Sequence, residues 1–204
     1  MTTNDLTTNA RAQGFLGDIV IGSYEEALSW VGMKSEVMYA PAEVSRVLIR
    51  LFASAIEDPN ANYWDEEYAK LRWEGLIAPP AMLQWWLVPL DWQPDGSPND
   101  TRLRWLIPLP GNATLDTEME YEFFLPVKVG DWLSAQEEVL SISPEKNTRV
   151  GRGHWVTILQ TFSNQRLEII GTLKVTFLRY RTESGNQPGI LSGSEDPLHG
   201  FHRH

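Results

Sequence analysis

The segment GLIAPPAMLQWWLVP, residues 75–89, decides the fold, because its side chains predict a helix without a polar face. Pro79 and Pro80 fit only at the start of a helix, since proline has no backbone N–H to donate inside one. From Ala81 to Val88 nearly every face is apolar, and such a helix is surrounded by protein on all sides. We therefore expect a central helix here, wrapped by the rest of the chain.

Helices are predicted before this segment and strands after it. Apolar side chains follow helical spacing from Pro41 to Asp58, where a helix stops because the residue before Pro59 avoids the helical region. After residue 117 the apolar period changes to two. Strands are expected near 117–125, 132–143, 154–162 and 168–180. The predicted class is α+β, with an antiparallel sheet curled round the central helix, an order that suits a single hot-dog fold.

Three parts of the chain are expected on the same grounds. Residues 1–22 show no periodicity and are interpreted as a loosely ordered segment, 23–181 as one domain, and 182–204 as a mobile tail. The N-terminus lacks the pattern of a signal peptide, and no apolar run is long enough to span a bilayer. A cytoplasmic protein without membrane insertion is therefore expected.

Composition excludes several classes of function. The 204 residues contain 17 Lys and Arg against 27 Asp and Glu, a net charge of −10, which disfavours binding to nucleic acid. The chain has no cysteine, so thiol nucleophiles, disulfides and thiolate metal sites are excluded. No metal site is predicted. With 42% hydrophobic residues, the chain can build a substantial core.

Four short patterns follow one another in a fixed order. They are D-x-N from Asp58, Y-x-D from Tyr63, GLIAPP at 75–80 and P-x-x-V-G-D at 126–131. In combination they resemble the N-terminal hot-dog domain of MaoC-like dehydratases, also called FAS1-like dehydratase domains, over roughly residues 24–180. The resemblance implies an enoyl-CoA hydratase or 3-hydroxyacyl-CoA dehydratase. Its substrate would be a coenzyme A thioester, with no cofactor.

The resemblance also shows where this chain departs from the active members. Their loop, G-D-x-N-P-x-H, supplies a catalytic Asp and His; here Asp58 falls on the Asp, but Tyr63 falls on the His. A phenol with a pKa near ~10 is a poor base at neutral pH. The family's I-A-H-G is IAPP here, so Pro79 and Pro80 cannot donate to a thioester oxygen, and Ala81 remains as a donor.

These departures favour an accessory subunit that shapes the acyl pocket beside a catalytic hot-dog partner, as a hetero- or homodimer or a higher oligomer. One alternative is a self-sufficient homo-oligomeric hydratase that uses Asp58 with Tyr63 or His154. A second alternative is an acyl-thioester binding protein without turnover. The candidate substrate-binding residues are Asn60, Ala81, Trp85, Trp86, Arg149 and Arg152.

Each candidate also has a structural interpretation. Asp58 can bond the amides of its own turn, and Asn60 is an ordinary turn former. Arg149 and Arg152 could contact the phosphates of coenzyme A or lie in a solvated turn. His154 lies on the side of two apolar strand residues, which favours a core imidazole over a base.

Overall fold

The computed structural model describes residues 11–14, 17–90, 94 and 102–182. The expected tail beyond residue 182, with its histidines, lies outside this part of the chain. The helices are α1 Tyr24–Leu28, α2 Arg46–Ala55, α3 Ala61–Trp64, α4 Glu66–Trp73 and α5 Leu103–Leu106, with 3-10 turns at Pro80–Met82 and Gln84–Leu87. The strands are β1 Arg11–Gly14, β2 Gly17–Val20, β3 Met38–Tyr39, β4 Ala113–Phe123, β5 Ser134–Ile142, β6 Lys146–Thr148, β7 Gly151–Ser163 and β8 Ile169–Tyr180.

One antiparallel sheet organises the domain. Its strands lie in the order β3-β5-β7-β8-β4, and β6 pairs with β7 beside this path. The four predicted long strands are all present, and the β5-β7-β8 meander is confirmed. Strand β4 does not pair with β5, which follows it in the chain. It pairs with β8 and so forms the edge of the sheet opposite β3. The α+β class is thus confirmed, with the first long strand at the edge.

Strand β4 differs from its sequence-based prediction. Alternation predicted one wet face, bearing Glu118, Glu120 and Glu122, and one covered face. The expected inner face is covered only in part: Tyr121 packs against the core, but Met119 is 43% exposed and Phe123 is 49% exposed. An edge strand has a neighbour on one side only, and Phe123 is covered in part, by the Tyr121 ring at 5.7 Å between centroids.

The central segment is also not the helix that was predicted. Residues 80–87 form two successive 3-10 turns, and Met82 N–H donates to the Pro79 carbonyl at 2.9 Å. Prolines 80 and 89 bound the segment, so a helix could have two turns at most. It is wrapped on one side only: Met82, Leu83 and Trp86 are buried in the core.

Helix α2 packs on the core with only part of the expected apolar face. It begins at Arg46, five residues later than expected, and it buries Ile49 and Ala53. The predicted apolar face consists of Val44, Val47, Leu48, Leu51, Phe52 and Ala55. Val44 and Phe52 pack on the core, but Val47 is 64% and Leu51 60% exposed. The apolar side chains cover well over half of the circumference of this helix, with Arg46, Arg50 and Ser54 on the remaining side. Spacing alone therefore could not show which part of the apolar surface packs on the core.

A buried cation joins the N-terminal hairpin to the sheet. Arg179 of β8 is fully buried, and its guanidinium donates to the carbonyls of Arg104 and Val20, the latter at 3.5 Å. Burial, with a smaller contribution from Arg104, lowers the pKa of Arg179 to about 10. The β1–β2 hairpin itself is a regular element in a segment for which the sequence shows no periodicity. No helix among the described residues is long and apolar enough to cross a membrane.

Candidate functional site

The loop after α2 uses the Asp58 carboxylate in its own turn. Glu57 adopts a left-handed conformation (φ 55°), which ends the helix, and Asp58 N–H then donates back to the Ala53 carbonyl at 2.9 Å. The carboxylate oxygen Oδ1 of Asp58 accepts the N–H of Asn60 at 3.0 Å. This is the structural role considered from the sequence for an aspartate at a helix end.

The rest of the loop is tied down by its neighbours. Asn60 Oδ1 accepts the backbone N–H of Asn62 at 3.1 Å and its side-chain Nδ2 at 2.9 Å, so Asn60 acts as the N-cap of α3. Two indoles fix the turn from outside: Trp64 Nε1 donates to the Asp58 carbonyl, and Trp73 Nε1 donates to Asn62 Oδ1. Asn60 was predicted to bind substrate; its Oδ1 accepts two hydrogen bonds from Asn62 within the loop.

Tyr63, at the position expected for a catalytic histidine, lies in the core. It is 5% exposed and packs within the main apolar cluster. Burial raises the pKa of Tyr63, the nearby Asp58 charge raises it further, and a hydrogen bond with Asn60 opposes these effects. The phenol therefore keeps its proton at neutral pH. It can donate a hydrogen bond, but it cannot take a proton from water.

A cavity of about 480 Å³ opens between the 3-10 segment, α2 and strand β4. Its apolar wall consists of Phe52, Trp85, Leu87 and Val88, and Ala81 lies at its rim. The Phe52 and Trp85 rings meet at 6.1 Å between centroids. Neither Asp58 nor Tyr63 lines this space.

The remaining lining of the cavity is polar. Arg104 is paired with Asp116, and the Tyr121 hydroxyl donates to Gln84 Oε1 at 3.4 Å. Burial raises the pKa of Tyr121, so this phenol is also neutral at physiological pH. Arg102 and Gln160 complete this wall. The cavity thus combines an apolar half with a half that can donate and accept hydrogen bonds.

A buried carboxylate lies behind the polar wall. Glu137 is 5% exposed; it accepts the N–H of Leu103 at 2.6 Å and Nε2 of Gln160 at 3.2 Å. Because Gln160 lines the cavity, Glu137 supports that side chain from behind. The carboxylate also fixes α5, whose chain carries Arg104 to the cavity.

Of the other residues predicted to bind substrate, some line the cavity and one lies in the core. Ala81 and Trp85 line the cavity, whereas Trp86 is 6% exposed and belongs to the core. The Trp86 indole Nε1 is buried and has no hydrogen-bond partner among the described residues. Trp86 was predicted to contact substrate, but its side chain points into the core. Contact of Ala81 and Trp85 with substrate stays a prediction.

The basic pair and His154 lie elsewhere. Arg149 and Arg152 are exposed in the β6–β7 hairpin, and Arg152 pairs with Glu145. Neither arginine is among the residues that line the cavity. His154 is 2% exposed, stacks on a tyrosine and bonds the Ser143 carbonyl through Nδ1 at 2.9 Å. This environment is that of a core imidazole.

Sequence reasoning missed the polar half of the cavity. Its members are Gln84, Arg102, Arg104, Asp116, Tyr121 and Gln160, backed by Glu137. A signal was available in the strands: Glu137 alternates with Ala135 and Val139, and Gln160 occupies an inward position too. Polar residues at core positions indicate a site or a buried network. Among the described residues, no group of three or more His, Asp or Glu could hold a metal ion.

Comparison with known proteins identifies the family to which this chain belongs. The profile of the FAS1-like dehydratase domain region matches residues 29–173. A probable enoyl-CoA hydratase alpha subunit from Thermomonospora curvata is 33% identical over 172 residues, which cover 80% of this chain and 54% of that protein. The chain therefore spans about half the length of the curated relative that it matches.

Solved structures show the same fold. The ChsH1-ChsH2 complex from Mycobacterium tuberculosis contains a chain with a TM-score of 0.64 and 21% identity, over 80% of this chain and 93% of that one. The unliganded R-hydratase PhaJ1 from Pseudomonas aeruginosa gives a TM-score of 0.51 at 23% identity, over 78% and 90% of the two chains. These likenesses show a hot-dog fold. By its profile match and its curated relative, this chain belongs to the FAS1-like dehydratase domains of the MaoC-like hot-dog family.

Proposed function

We propose that this chain is the accessory subunit of an enoyl-CoA hydratase or 3-hydroxyacyl-CoA dehydratase, whose catalytic Asp–His pair belongs to a second hot-dog subunit. One observation carries the proposal: Tyr63, which the family pattern aligns with the histidine of the active members, is a buried phenol that keeps its proton. The curated relative supports it, because that protein is named as one subunit of an enoyl-CoA hydratase.

The reaction explains why a partner is needed. Addition of water to a double bond conjugated with a thioester requires a base for the water, an acid for the α-carbon, and donors for the charge on the thioester oxygen. Asp58 is held by its own turn, and Tyr63 cannot accept the proton. Pro79 and Pro80 have no N–H, so Ala81 is left as a donor beside the cavity. This chain therefore supplies a pocket wall and one donor, without the base.

The cavity supports the role of this subunit in holding the acyl group. Phe52, Trp85, Leu87 and Val88 give an apolar surface that suits a long or bulky acyl chain. The acid–base reaction itself calls for no cofactor, and the coenzyme A thioester is the substrate. The proposal places the subunit in the cytoplasm, with which a chain without cysteine is compatible.

The experiment compares the chain alone with the chain in complex. The purified protein is assayed with crotonyl-CoA and longer enoyl-CoAs, alone and together with the hot-dog protein encoded next to its gene. We expect turnover only in the mixture, at a rate above that of the neighbouring protein by itself. Turnover by the isolated chain, abolished by Asp58→Asn, would show the self-sufficient hydratase instead. Tight binding of acyl-CoA without turnover in any mixture would show a binding protein.

A further inference from the structure

A row of four side chains crosses the inner face of the sheet at the cavity. Glu137 of β5 lies opposite Gln160 of β7, Gln160 lies opposite Leu173 of β8, and Leu173 lies opposite Tyr121 of β4. Residues paired across strands point to the same side of a sheet, so all four share one face. Neighbouring strands are about 4.8 Å apart, which places the backbones of Gln160 and Tyr121 about 10 Å from each other. These two cavity residues thus stand on either side of a buried leucine.

The Gln160 side chain is held in one orientation. It is 4% exposed, and its Nε2 donates to Oε1 of Glu137 at 3.2 Å. A carboxylate offers acceptors, so the amide of Gln160 turns its nitrogen toward Glu137 and its oxygen away from it. Among the described residues, none donates a hydrogen bond to Oε1 of Gln160. Buried polar atoms are normally paired, so this oxygen needs a donor from whatever occupies the cavity.

Donors lie on the Tyr121 side of the row. The Tyr121 hydroxyl donates to Oε1 of Gln84 at 3.4 Å, which is a long bond for a hydroxyl. Nε2 of Gln84, which also lines the cavity, makes no hydrogen bond within the described part of the chain. Because burial raises the pKa of Tyr121, its hydroxyl keeps its proton. The cavity therefore offers an acceptor on Gln160 and donors on Gln84 and Tyr121.

The charged side chains of the polar lining already have contacts within the protein. Arg104 is paired with Asp116, and Arg102 lies over the Trp105 ring, with its guanidinium carbon 5.8 Å from the ring centroid. An uncharged ligand group that can both donate and accept therefore suits this lining best. A hydroxyl has both properties, whereas a ketone only accepts.

We propose that the acyl group held by this cavity carries a hydroxyl remote from the thioester, in addition to any hydroxyl that the reaction adds or removes. The proposal rests on the proposed function and names its substrate class. The remote hydroxyl donates to Oε1 of Gln160 and accepts from Gln84 or Tyr121, while the hydrocarbon part lies on Phe52 and Trp85. A plain acyl chain leaves the Gln160 oxygen without a donor and is bound more weakly.

Binding is measured with saturated acyl-CoAs, which the reaction cannot consume. The probes share one medium chain length: a plain chain, a set with one hydroxyl moved carbon by carbon along the distal half, and the matching ketones. Isothermal titration calorimetry gives the Kd for the isolated chain and for its complex with the hot-dog protein encoded next to its gene. We expect the best hydroxyl probe to bind roughly tenfold more tightly than the plain chain, with the ketones between, because each hydrogen bond contributes about two- to tenfold in affinity.

Two variants and one control locate the effect. Q84M/Y121F removes both donors, and Q160M removes the acceptor. In each variant the hydroxyl preference should fall to within about threefold, while the plain chain binds as before. Q160M also takes a partner from Glu137, so Q84M/Y121F tests the same cavity without disturbing that carboxylate. Tyr39→Phe deletes a hydroxyl from a tyrosine that is 72% exposed and lies outside the cavity, and it should keep the preference.

Four results would overturn the hydroxyl site. They are equal binding of the plain chain and every hydroxyl probe, tightest binding of a ketone, an unchanged preference in both cavity variants, and no binding of any probe. The proposed function stands or falls separately, because the saturated probes are not turned over. A hydroxyl preference with no hydration of enoyl-CoAs in any complex would remove the accessory role and keep the hydroxyl site. Hydration by a complex that binds plain and hydroxylated chains equally would do the reverse.

Discussion

Two adjacent tryptophans provide a sharp test of how the central segment packs. Trp86 is 6% exposed and Trp85 is 52% exposed, although both belong to the same 3-10 turn. We predict that Trp86→Ala mainly lowers stability, whereas Trp85→Ala mainly weakens binding of the acyl group. The two variants remove the same atoms, so each serves as the control for the other.

The magnitudes follow from the buried fractions. Truncation of a fully buried tryptophan costs about 3–5 kcal/mol, and the unpaired indole N–H of Trp86 places it near the lower end, about 3 kcal/mol. Trp85 buries about half as much, which gives roughly 1.5–2.5 kcal/mol by the same scale. The exposed half of its side chain offers about 130 Å² to a ligand. Covering half of that area contributes about 1.5 kcal/mol, a little over tenfold in KM.

Stability is measured by urea unfolding followed by far-UV circular dichroism, which does not depend on the deleted fluorophore. Binding is measured as the KM of the complex with its catalytic partner for a long enoyl-CoA. Equal stability losses in the two variants would contradict the described burial of the 3-10 turn. A Trp85→Ala complex with normal KM would show that the cavity does not hold the acyl group.

Three further predictions concern the residues that a catalytic role would require. Asp58→Asn keeps the oxygen that accepts the Asn60 N–H, so complex turnover should stay within about twofold, against the 100-fold or greater loss expected of a general base. His154→Ala should cost at least about 2 kcal/mol in urea unfolding, because the Ser143 carbonyl loses its donor, while turnover is unchanged. Tyr63 has a pKa raised above its ordinary value of 10.0, so its contribution to stability is present below pH 10 and is lost as pH rises through the folded-state value. Unfolding free energies measured from pH 9 to 11.5 should therefore fall more steeply for wild type than for Tyr63→Phe; parallel curves would contradict the raised pKa.

The strands were predictable because their alternation is local. Each long strand is found where period-two spacing placed it, and short turns joined the neighbours β5, β7 and β8. The place of β4 was not predictable in the same way, since spacing shows that one side is apolar without showing what covers it. Met119 and Phe123 satisfy the pattern of a core strand, yet the described chain leaves them exposed.

The site was predictable in part, and for a comparable reason. The sequence shows directly that Tyr63 replaces the histidine of the family pattern and that Pro79 lacks a backbone N–H, because each difference concerns a single residue. The cavity was not, because it depends on the 3-10 turns that replace a helix and on contacts between distant strands. Long-range geometry of this kind brings Asp116 and Gln160 together from different strands, and no local pattern links them.

The hydrogen bonds of Arg179 bear on how this chain can be truncated at its N-terminus. Its guanidinium reaches the Val20 carbonyl, so a chain that starts at residue 21 would lack one of the two carbonyl acceptors found among the described residues for this buried cation. The unsolvated charge would remain after its acceptor had gone. The first twenty residues, which show no periodicity in the sequence, thus include Val20, whose carbonyl accepts a hydrogen bond from Arg179 of β8.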